Sequence, residues 1–284
     1  MTRRTDVLLD GLAFAEGPRW RDGKLWFSDM HQDVVMTVDL DGKNERIVDV
    51  PEQPSGLGWL PDGRMLVVSM KDRRLLRLDP EGLVEVADLS AHATWHCNDM
   101  VVDEAGRAYV GNFGSEIHGG SDGTPEPTVL CRVDPDGTVA VAARDLMFPN
   151  GTVITPDGHT LIVGETFAAR LTAFDLDPST GDLSNRRVWA PLRGAVPDGI
   201  CLDAEGAIWV ASPVSREVQR VAEGGEVLDR VKVENQAYAC MLGGDDGQTL
   251  FVCTAADSDP GICRATPTGR IEIARVDAPG AGLP

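Results

Sequence analysis

The sequence contains no apolar stretch that approaches the roughly 18 residues needed to span a membrane. Basic residues are also few, with 26 Lys and Arg against 45 Asp and Glu and a formal net charge of −19. Nucleic acids and anionic membranes bind clusters of Lys and Arg, so neither is expected as a partner. The acidic excess is typical of a soluble protein, and it leaves open that some of the acids hold cations.

Cysteine motifs are missing as well. None of the six cysteines forms a CxxC pair, and most lie in or beside apolar segments, which predicts buried and reduced thiols. The first residues do not form the apolar core of a secretion signal, so we expect a cytoplasmic location. No GxSxG sequence is present, so a Ser-based hydrolase of that type is not predicted.

Helical periodicity over ten or more residues is absent, which argues against an α/β fold. The chain instead repeats a polar turn that ends in Gly and is followed by a short apolar run such as RMLVVS or AIWVAS. The steps between turn glycines are 40, 43, 52, 48 and 41 residues, and the glycines are Gly23, Gly63, Gly106, Gly158, Gly206 and Gly247. This period predicts a propeller blade of several short strands.

Six such units account for nearly all of the 284 residues. We therefore predict an all-β fold, a six-bladed β-propeller with four antiparallel strands per blade, and one domain over residues 1–284. The segment Thr5 to Leu9 is expected to pair beside the C-terminal strand Arg270 to Val276 and close the ring, which removes two exposed edges. In the longest unit, Ser115 to Thr128 is interpreted as a surface loop, either a tolerated insertion or a lid.

Each unit has one residue, seven or eight positions before its turn glycine, that should open at the mouth of the central channel. These residues are Glu16, Ser55, Asn98, Asn150, Asp198 and Cys240. Any one of them alone reads more readily as a turn residue, but two acids and two amides at a shared position predict a cation between them. Oxygen ligands favour a hard divalent ion, Ca²⁺ first, with Mg²⁺, Mn²⁺ or Zn²⁺ as alternatives.

The segments FAEGPRW, CND, FPNG and PDG, in that order, resemble the senescence marker protein/gluconolactonase family, also called regucalcin-like proteins. The resemblance covers essentially the whole chain and implies a six-bladed propeller with metal-dependent lactonase activity. It implies that Glu16, Asn150 and Asp198 bind one divalent ion. It also implies that Asn98 reaches the ion or its water and the substrate, and that Asp198 acts as the catalytic base.

Such chemistry is consistent with the residues. A metal ion polarises a lactone carbonyl and stabilises the charge that develops on it, while a nearby carboxylate takes a proton from water. The expected partner is thus a small-molecule substrate, and we assign Asn98, His96, Ser55 and Cys240 to substrate binding. The sequence does not define an oligomeric state.

The chain departs from the family at His96, where sugar-lactone hydrolases of the family commonly carry Arg. His96 is a loop spacer, a substrate-positioning residue or an acid–base group, and an imidazole offers fewer donors to sugar hydroxyls than a guanidinium. Cys240 is either a small lining residue or, less favoured, a thiolate nucleophile.

Two other functions remain open from the sequence. The same site could serve a phosphotriesterase-like or other reaction, or the protein could bind calcium without catalysis.

Overall fold

The computed structural model describes residues 3–116 and 124–284, and in these ranges almost all regular structure is β-strand. The α-helix of the described chain is the short α1, Pro260–Ala265. No helix in these ranges has the length and apolar character needed to cross a bilayer. Residues 117–123, at the centre of the expected surface loop, lie outside the described residues.

The strands form six sheets, one per blade, each with four antiparallel strands, and the sheet of blade 5 has β1 (Arg3–Arg4) as a fifth strand. Strand β2 (Asp6–Leu12) belongs to the sheet of blade 6. Blade 1 contains β3 (Ala15–Arg21), β4 (Lys24–Asp29), β5 (Val34–Val38) and β6 (Asn44–Asp49). Blade 2 contains β7 (Pro54–Trp59), β8 (Met65–Ser69), β9 (Arg74–Asp79) and β10 (Gly82–Asp88). Blade 3 contains β11 (Cys97–Val102), β12 (Ala108–Asn112), β13 (Thr128–Val133) and β14 (Val139–Leu146).

The second half repeats the pattern. Blade 4 contains β15 (Pro149–Ile154), β16 (Thr160–Glu165), β17 (Arg170–Leu176) and β18 (Leu183–Pro191). Blade 5 contains β19 (Ile200–Leu202), β20 (Ile208–Ser212), β21 (Glu217–Val221) and β22 (Val227–Lys232). Blade 6 contains β23 (Gln236–Gly243), β24 (Thr249–Ala255) and β25 (Gly269–Arg275), and the fold is the predicted six-bladed propeller.

The fourth strand of blade 6 comes from the other end of the chain. Strand β2 pairs antiparallel with β25, with Asp6 opposite Ile273 and Leu9 opposite Ile271, which confirms the pairing expected from the sequence. Strand β1 continues to the neighbouring sheet and pairs parallel with β22 of blade 5. The N-terminal residues therefore attach to two adjacent blades.

The repeated turn has a simple local cause. In blade 2, the Gly63 amide donates to the Leu60 carbonyl at 2.9 Å, and Gly63 has a φ of 88°, which glycine adopts without strain. The Asp62 carboxylate accepts a hydrogen bond from the Arg64 amide at 3.1 Å and so fixes the entry to β8. Similar turns join the first two strands of blades 3 to 6, where the glycine amide again donates to the carbonyl three residues earlier.

Apolar side chains fill the space between adjacent blades, and the inner strands approach one another most closely at glycines. A Cβ on Gly56 would lie 2.5 Å from the Met100 nitrogen, and one on Gly199 would lie 2.6 Å from the Ala239 Cα. Only glycine allows this backbone approach. The residues that precede these glycines are thereby brought towards one another at one end of the channel.

Candidate functional site

Four side chains from four blades meet where the inner strands begin. They are Glu16 on β3, Asn98 on β11, Asn150 on β15 and Asp198 just before β19, and together we call them the polar cluster. Asn98 Nδ2 donates to Asn150 Oδ1 at 2.8 Å, and Asn150 Nδ2 donates to Asp198 Oδ1 at 2.6 Å. The Glu16 carboxylate accepts a hydrogen bond from the Gly17 amide. The structure thus brings together four of the six residues selected from the sequence.

The polar cluster lines a cavity of about 490 Å³. Most of the other lining side chains are apolar or aromatic, and they include Phe14, Met30, Met70, Phe113, Phe148, Phe167, Val196, Val214 and Tyr238. A cavity of similar size on the described part of the chain, about 510 Å³, is lined by turn residues such as Glu104, Asp157 and Gly158 and contains none of the polar cluster. We therefore place the site in the first cavity, where convergent polar groups lie within an apolar enclosure.

Burial changes the acidity of the two carboxyl groups. Burial raises the pKa of Glu16 well above its ordinary value, and the negative charges of Asp198 and Asp99 raise it further. Burial raises the pKa of Asp198 to about 8, although the hydrogen bond from Asn150 acts in the opposite direction. Among the described residues neither carboxylate forms an ion pair with Lys or Arg. Two carboxylates in such surroundings favour the binding of a cation.

Ser55 and His96 have different relations to the cavity. Ser55 is buried behind the polar cluster and donates its hydroxyl to Asn98 Oδ1 at 3.1 Å, so it orients Asn98 and does not line the cavity. His96 does line the cavity, with its ring stacked on Trp95 at 4.9 Å between ring centroids. Of these two residues assigned to substrate binding, His96 lines the cavity and Ser55 does not.

Cys240 lies away from the cavity, in contrast to the expectation from the sequence. Its thiol is buried between blades 5 and 6, 3.9 Å from Cys201 Sγ and 3.4 Å from the Trp209 carbonyl. Tyr238 occupies the sixth channel position, since it lies at the register irregularity of β23 as Asn98 and Asn150 do in their strands. The longer β23 places it nine residues before Gly247. A small residue follows five of the six channel positions, here Ala239, and this signal would have identified Tyr238.

A buried ion pair lies farther along the channel and was not selected from the sequence. Arg19 follows Glu16 by three residues on β3, about 10 Å along an extended strand. Its Nη2 donates to Asp99 Oδ1 at 2.7 Å, and its Nε donates to the Leu57 carbonyl at 3.0 Å. Asp99 stands where four other blades carry glycine and blade 6 carries Ala239. Through these two hydrogen bonds Arg19 connects the inner strands of the first three blades.

The donor set fits a hard divalent cation. The described residues contain no group of three or more His, Cys, Asp or Glu side chains suited to a metal, so the fit depends on two carboxylates together with amide oxygens. Ca²⁺ accepts both kinds of oxygen. Asn150 points its Nδ2 towards Asp198, so its amide must turn to present Oδ1 to an ion on that side. Glu16, Asp198 and Asn150 are the residues that would hold the ion.

The raised pKa values of these carboxyl groups predict how the stability of the metal-free protein depends on pH. A carboxyl group whose pKa rises on folding stabilises the fold below its unfolded pKa, near 4, and this contribution is lost as the pH rises through about 8 for Asp198. Asp198→Asn should remove this dependence. In the presence of a chelator its melting temperature should exceed that of the wild type by a few degrees at pH 8, with a much smaller difference at pH 5.

Thermal unfolding followed by circular dichroism at pH 5, 6, 7 and 8 would measure this effect. Asp157→Asn is the matched control, because the Thr155 hydroxyl lowers the pKa of this exposed carboxyl group and its contribution does not change across that range. If the melting temperatures of Asp198→Asn and the wild type change with pH in the same way, position 198 does not hold a buried carboxyl group with a raised pKa.

Comparison with known sequences gives a consistent result. Residues 14–256 match the family model described as the SMP-30/gluconolactonase/LRE-like region. Regucalcin of Danio rerio is 28% identical over 258 residues, which covers 84% of this chain and 82% of the relative. Pentonolactonase XacC of Haloferax volcanii is 30% identical over 194 residues, which covers 66% of this chain and 64% of the relative.

A solved structure shows the same architecture. The calcium-binding protein regucalcin from Agrobacterium tumefaciens superposes with a TM-score of 0.82 at 24% identity, and the match covers 100% of this chain and 98% of the other. At this identity the likeness establishes the fold.

Proposed function

Because the chain belongs to the SMP-30/gluconolactonase/LRE-like family, we propose that it is a divalent-metal-dependent hydrolase that opens lactones. The observation that carries this proposal is the convergence of Glu16, Asn98, Asn150 and Asp198 from four blades on one cavity. A relative in the same comparison is named a pentonolactonase, which supports ester-ring hydrolysis as the reaction class.

Each member of the polar cluster has a distinct role in this reaction. Glu16, Asn150 and Asp198 would hold the ion, which supplies Lewis-acid polarisation of the ester carbonyl when bound. Asn98 lines the cavity and would direct an amide N–H at the carbonyl oxygen of the substrate, where negative charge develops. Ser55 keeps the Asn98 amide in this orientation through its hydrogen bond to Oδ1.

Asp198 is the proposed general base. As a ligand, Asp198 would present one carboxylate oxygen to the ion, which leaves the other to take a proton from water. The water oxygen adds to the carbonyl carbon, the bond from that carbon to the ring oxygen then breaks, and the proton passes to the departing ring oxygen. The product is the open hydroxy acid, and one proton enters the medium when its carboxyl group ionises.

The test is a panel of substrates whose turnover is measured by the release of acid. The purified protein, stripped with a chelator and then supplied with Ca²⁺, Mn²⁺, Mg²⁺ or Zn²⁺, should open at least one five- or six-membered lactone, and the stripped protein should not. Aryl esters and phosphotriesters belong in the panel, since turnover confined to phosphotriesters would replace the lactonase assignment. Calcium binding measured by calorimetry without turnover of any panel member would leave only a cation-binding role.

A further inference from the structure

The wall of the cavity outside the polar cluster is largely hydrocarbon. Phe14, Met30, Met70, Phe113 and Phe148 line it and are each 8% exposed or less, and we call these five residues the apolar wall. They pack as one hydrophobic cluster, with the rings of Phe113 and Phe148 4.6 Å apart. Phe167 and Val214 continue the apolar lining and are 40% and 68% exposed. A continuous apolar surface therefore extends from the polar cluster to solvent.

Polar side chains in the same wall are already bonded to the protein. His31 Nδ1 contacts Gln53 Nε2 at 3.1 Å, and its Nε2 contacts the Ser258 carbonyl at 3.2 Å. Gln236 Nε2 donates to the Ala256 carbonyl at 2.8 Å, and the Thr166 hydroxyl donates to the Pro197 carbonyl at 2.8 Å. These contacts use donors and acceptors that could otherwise bind the several hydroxyl groups of a sugar ring, and burying hydroxyl groups without partners is costly.

Positive charge is also scarce in the cavity. Among the described residues that line it, Lys71 is the only Lys or Arg, and its side chain is exposed. A guanidinium fork, which suits vicinal hydroxyls or a second carboxylate, is absent from this lining. His96 instead stacks its ring face on Trp95 and lies 6.1 Å from the Phe113 ring centroid.

One aromatic side chain of the wall is held in a conformation that is unfavourable by itself. Phe148 has a φ of 57°, in the left-handed region that a bulky residue rarely adopts. The Thr166 amide donates to the Phe148 carbonyl at 3.1 Å, and the Phe167 amide donates to the Met147 carbonyl at 3.2 Å. Backbone strain of this kind is typical of residues fixed for binding or catalysis. Phe148 is thus held with its ring in the cavity wall.

From these observations we infer that the substrate is an apolar lactone, a ring that bears an alkyl or aryl substituent and few or no hydroxyl groups. The inference rests on the proposed function for the reaction and on the apolar wall for the substrate class. The ester group lies at the polar cluster, and the substituent packs against the apolar wall and extends towards Phe167 and Val214. Polyhydroxylated aldonolactones bind poorly because their hydroxyl groups lose water without gaining partners.

A homologous series of γ-alkyl-γ-butyrolactones, compared with glucono-δ-lactone, tests the inference by acid release. Each added methylene that enters the cavity should raise kcat/KM by about fourfold, which gives about 250-fold over four methylenes. The longer members should exceed glucono-δ-lactone by about 100-fold. A flat dependence on chain length, or a preference for glucono-δ-lactone, would overturn the inference and leave the lactonase proposal standing.

Binding provides a second measurement that does not depend on turnover. The corresponding γ-alkyl lactams keep the ring and carbonyl but resist hydrolysis, and calorimetry should show their Kd falling by about fourfold per methylene. If no lactone is hydrolysed, the proposed function fails, but tight binding of the alkyl lactams would still support the apolar substrate class. Weaker binding of the alkyl lactams than of a polyhydroxylated lactam would refute it.

A variant pair locates the effect in the cavity. Met70→Gln changes a buried wall residue to a polar one of similar length and should lower kcat/KM for the longest lactone by about tenfold. Val188→Gln makes the same kind of change at a residue that is 55% exposed and outside the cavity lining, and it should leave the series unchanged. If kcat/KM rises with chain length equally in Met70→Gln and the wild type, and melting temperatures show that both are folded, the substituent does not pack against the apolar wall.

Discussion

Asp198→Asn should lower kcat by about 10³-fold on any lactone that the protein accepts. The amide keeps the size of the side chain and an oxygen that can coordinate a cation, but it cannot take a proton from water. The loss should therefore persist when the metal ion is saturating, and steady-state acid release at increasing Ca²⁺ concentration would measure it. Retention of more than a tenth of the wild-type kcat would exclude Asp198 as the base.

The melting temperature separates this loss of activity from a loss of folding. Removal of a buried carboxylate is expected to stabilise the metal-free protein at pH 8, so an inactive but more stable Asp198→Asn variant would be diagnostic. Asp157→Asn, on the exposed turn before β16, is the control and should keep wild-type activity.

Glu16→Gln should weaken divalent-ion binding by about 100-fold while changing kcat much less at saturating ion. Glu16 supplies one of the two carboxylates in the polar cluster, and in the proposed reaction it has no role in proton transfer. Calorimetric titration with Ca²⁺ would give the Kd, and activity against Ca²⁺ concentration would give the same shift independently.

Glu205→Gln is the matched control for this variant. Glu205 lies in the exposed turn before β20 and pairs with Arg220, away from the cavity. An unchanged Kd for Glu16→Gln would remove Glu16 from the ligand set. A large fall in kcat at saturating Ca²⁺ would instead assign it to the catalytic step.

Much of the fold follows from the repeated turn. Glycine at positions such as Gly63 and Gly158 needs no tertiary information, because the local turn itself demands a positive φ. The spacing of these glycines then predicts the blades, and the leftover segment near Thr5 predicts the closing strand. The polar cluster was found in the same way, since strand starts in a ring point to one centre.

Counting from the turn fails where strand length varies. Strand β23, with eight residues, is longer than the other inner strands, so the count back from Gly247 selected Cys240 where the sixth channel position is Tyr238. The sequence also does not show whether a polar side chain lines the cavity or bonds to a residue that does. For that reason Ser55 was assigned to the cavity, although it lies behind Asn98 and donates to it. Such details depend on side-chain packing between blades.

The apolar wall was not predicted as a set, although the repeat contains a signal for it. In most blades the residue directly after the second strand lines the cavity, as Met30, Met70, Phe113, Thr166 and Pro213 do. Aligning the six units on their second strands would have selected these residues. The alignment could not show the hydrogen-bond partner of each polar side chain. These partners decide whether the wall can bind the hydroxyl groups of a substrate.

The Arg19–Asp99 ion pair has a consequence for the valence of the ion. The guanidinium group balances the charge of Asp99, so an ion at the polar cluster would face the two charges of Glu16 and Asp198 once both are deprotonated. A doubly charged ion makes this region electrically neutral, whereas sodium or a lanthanide would leave an unbalanced charge in surroundings of low dielectric constant. The buried arginine, which touches neither carboxylate of the polar cluster, would thereby favour a divalent ion at the proposed site.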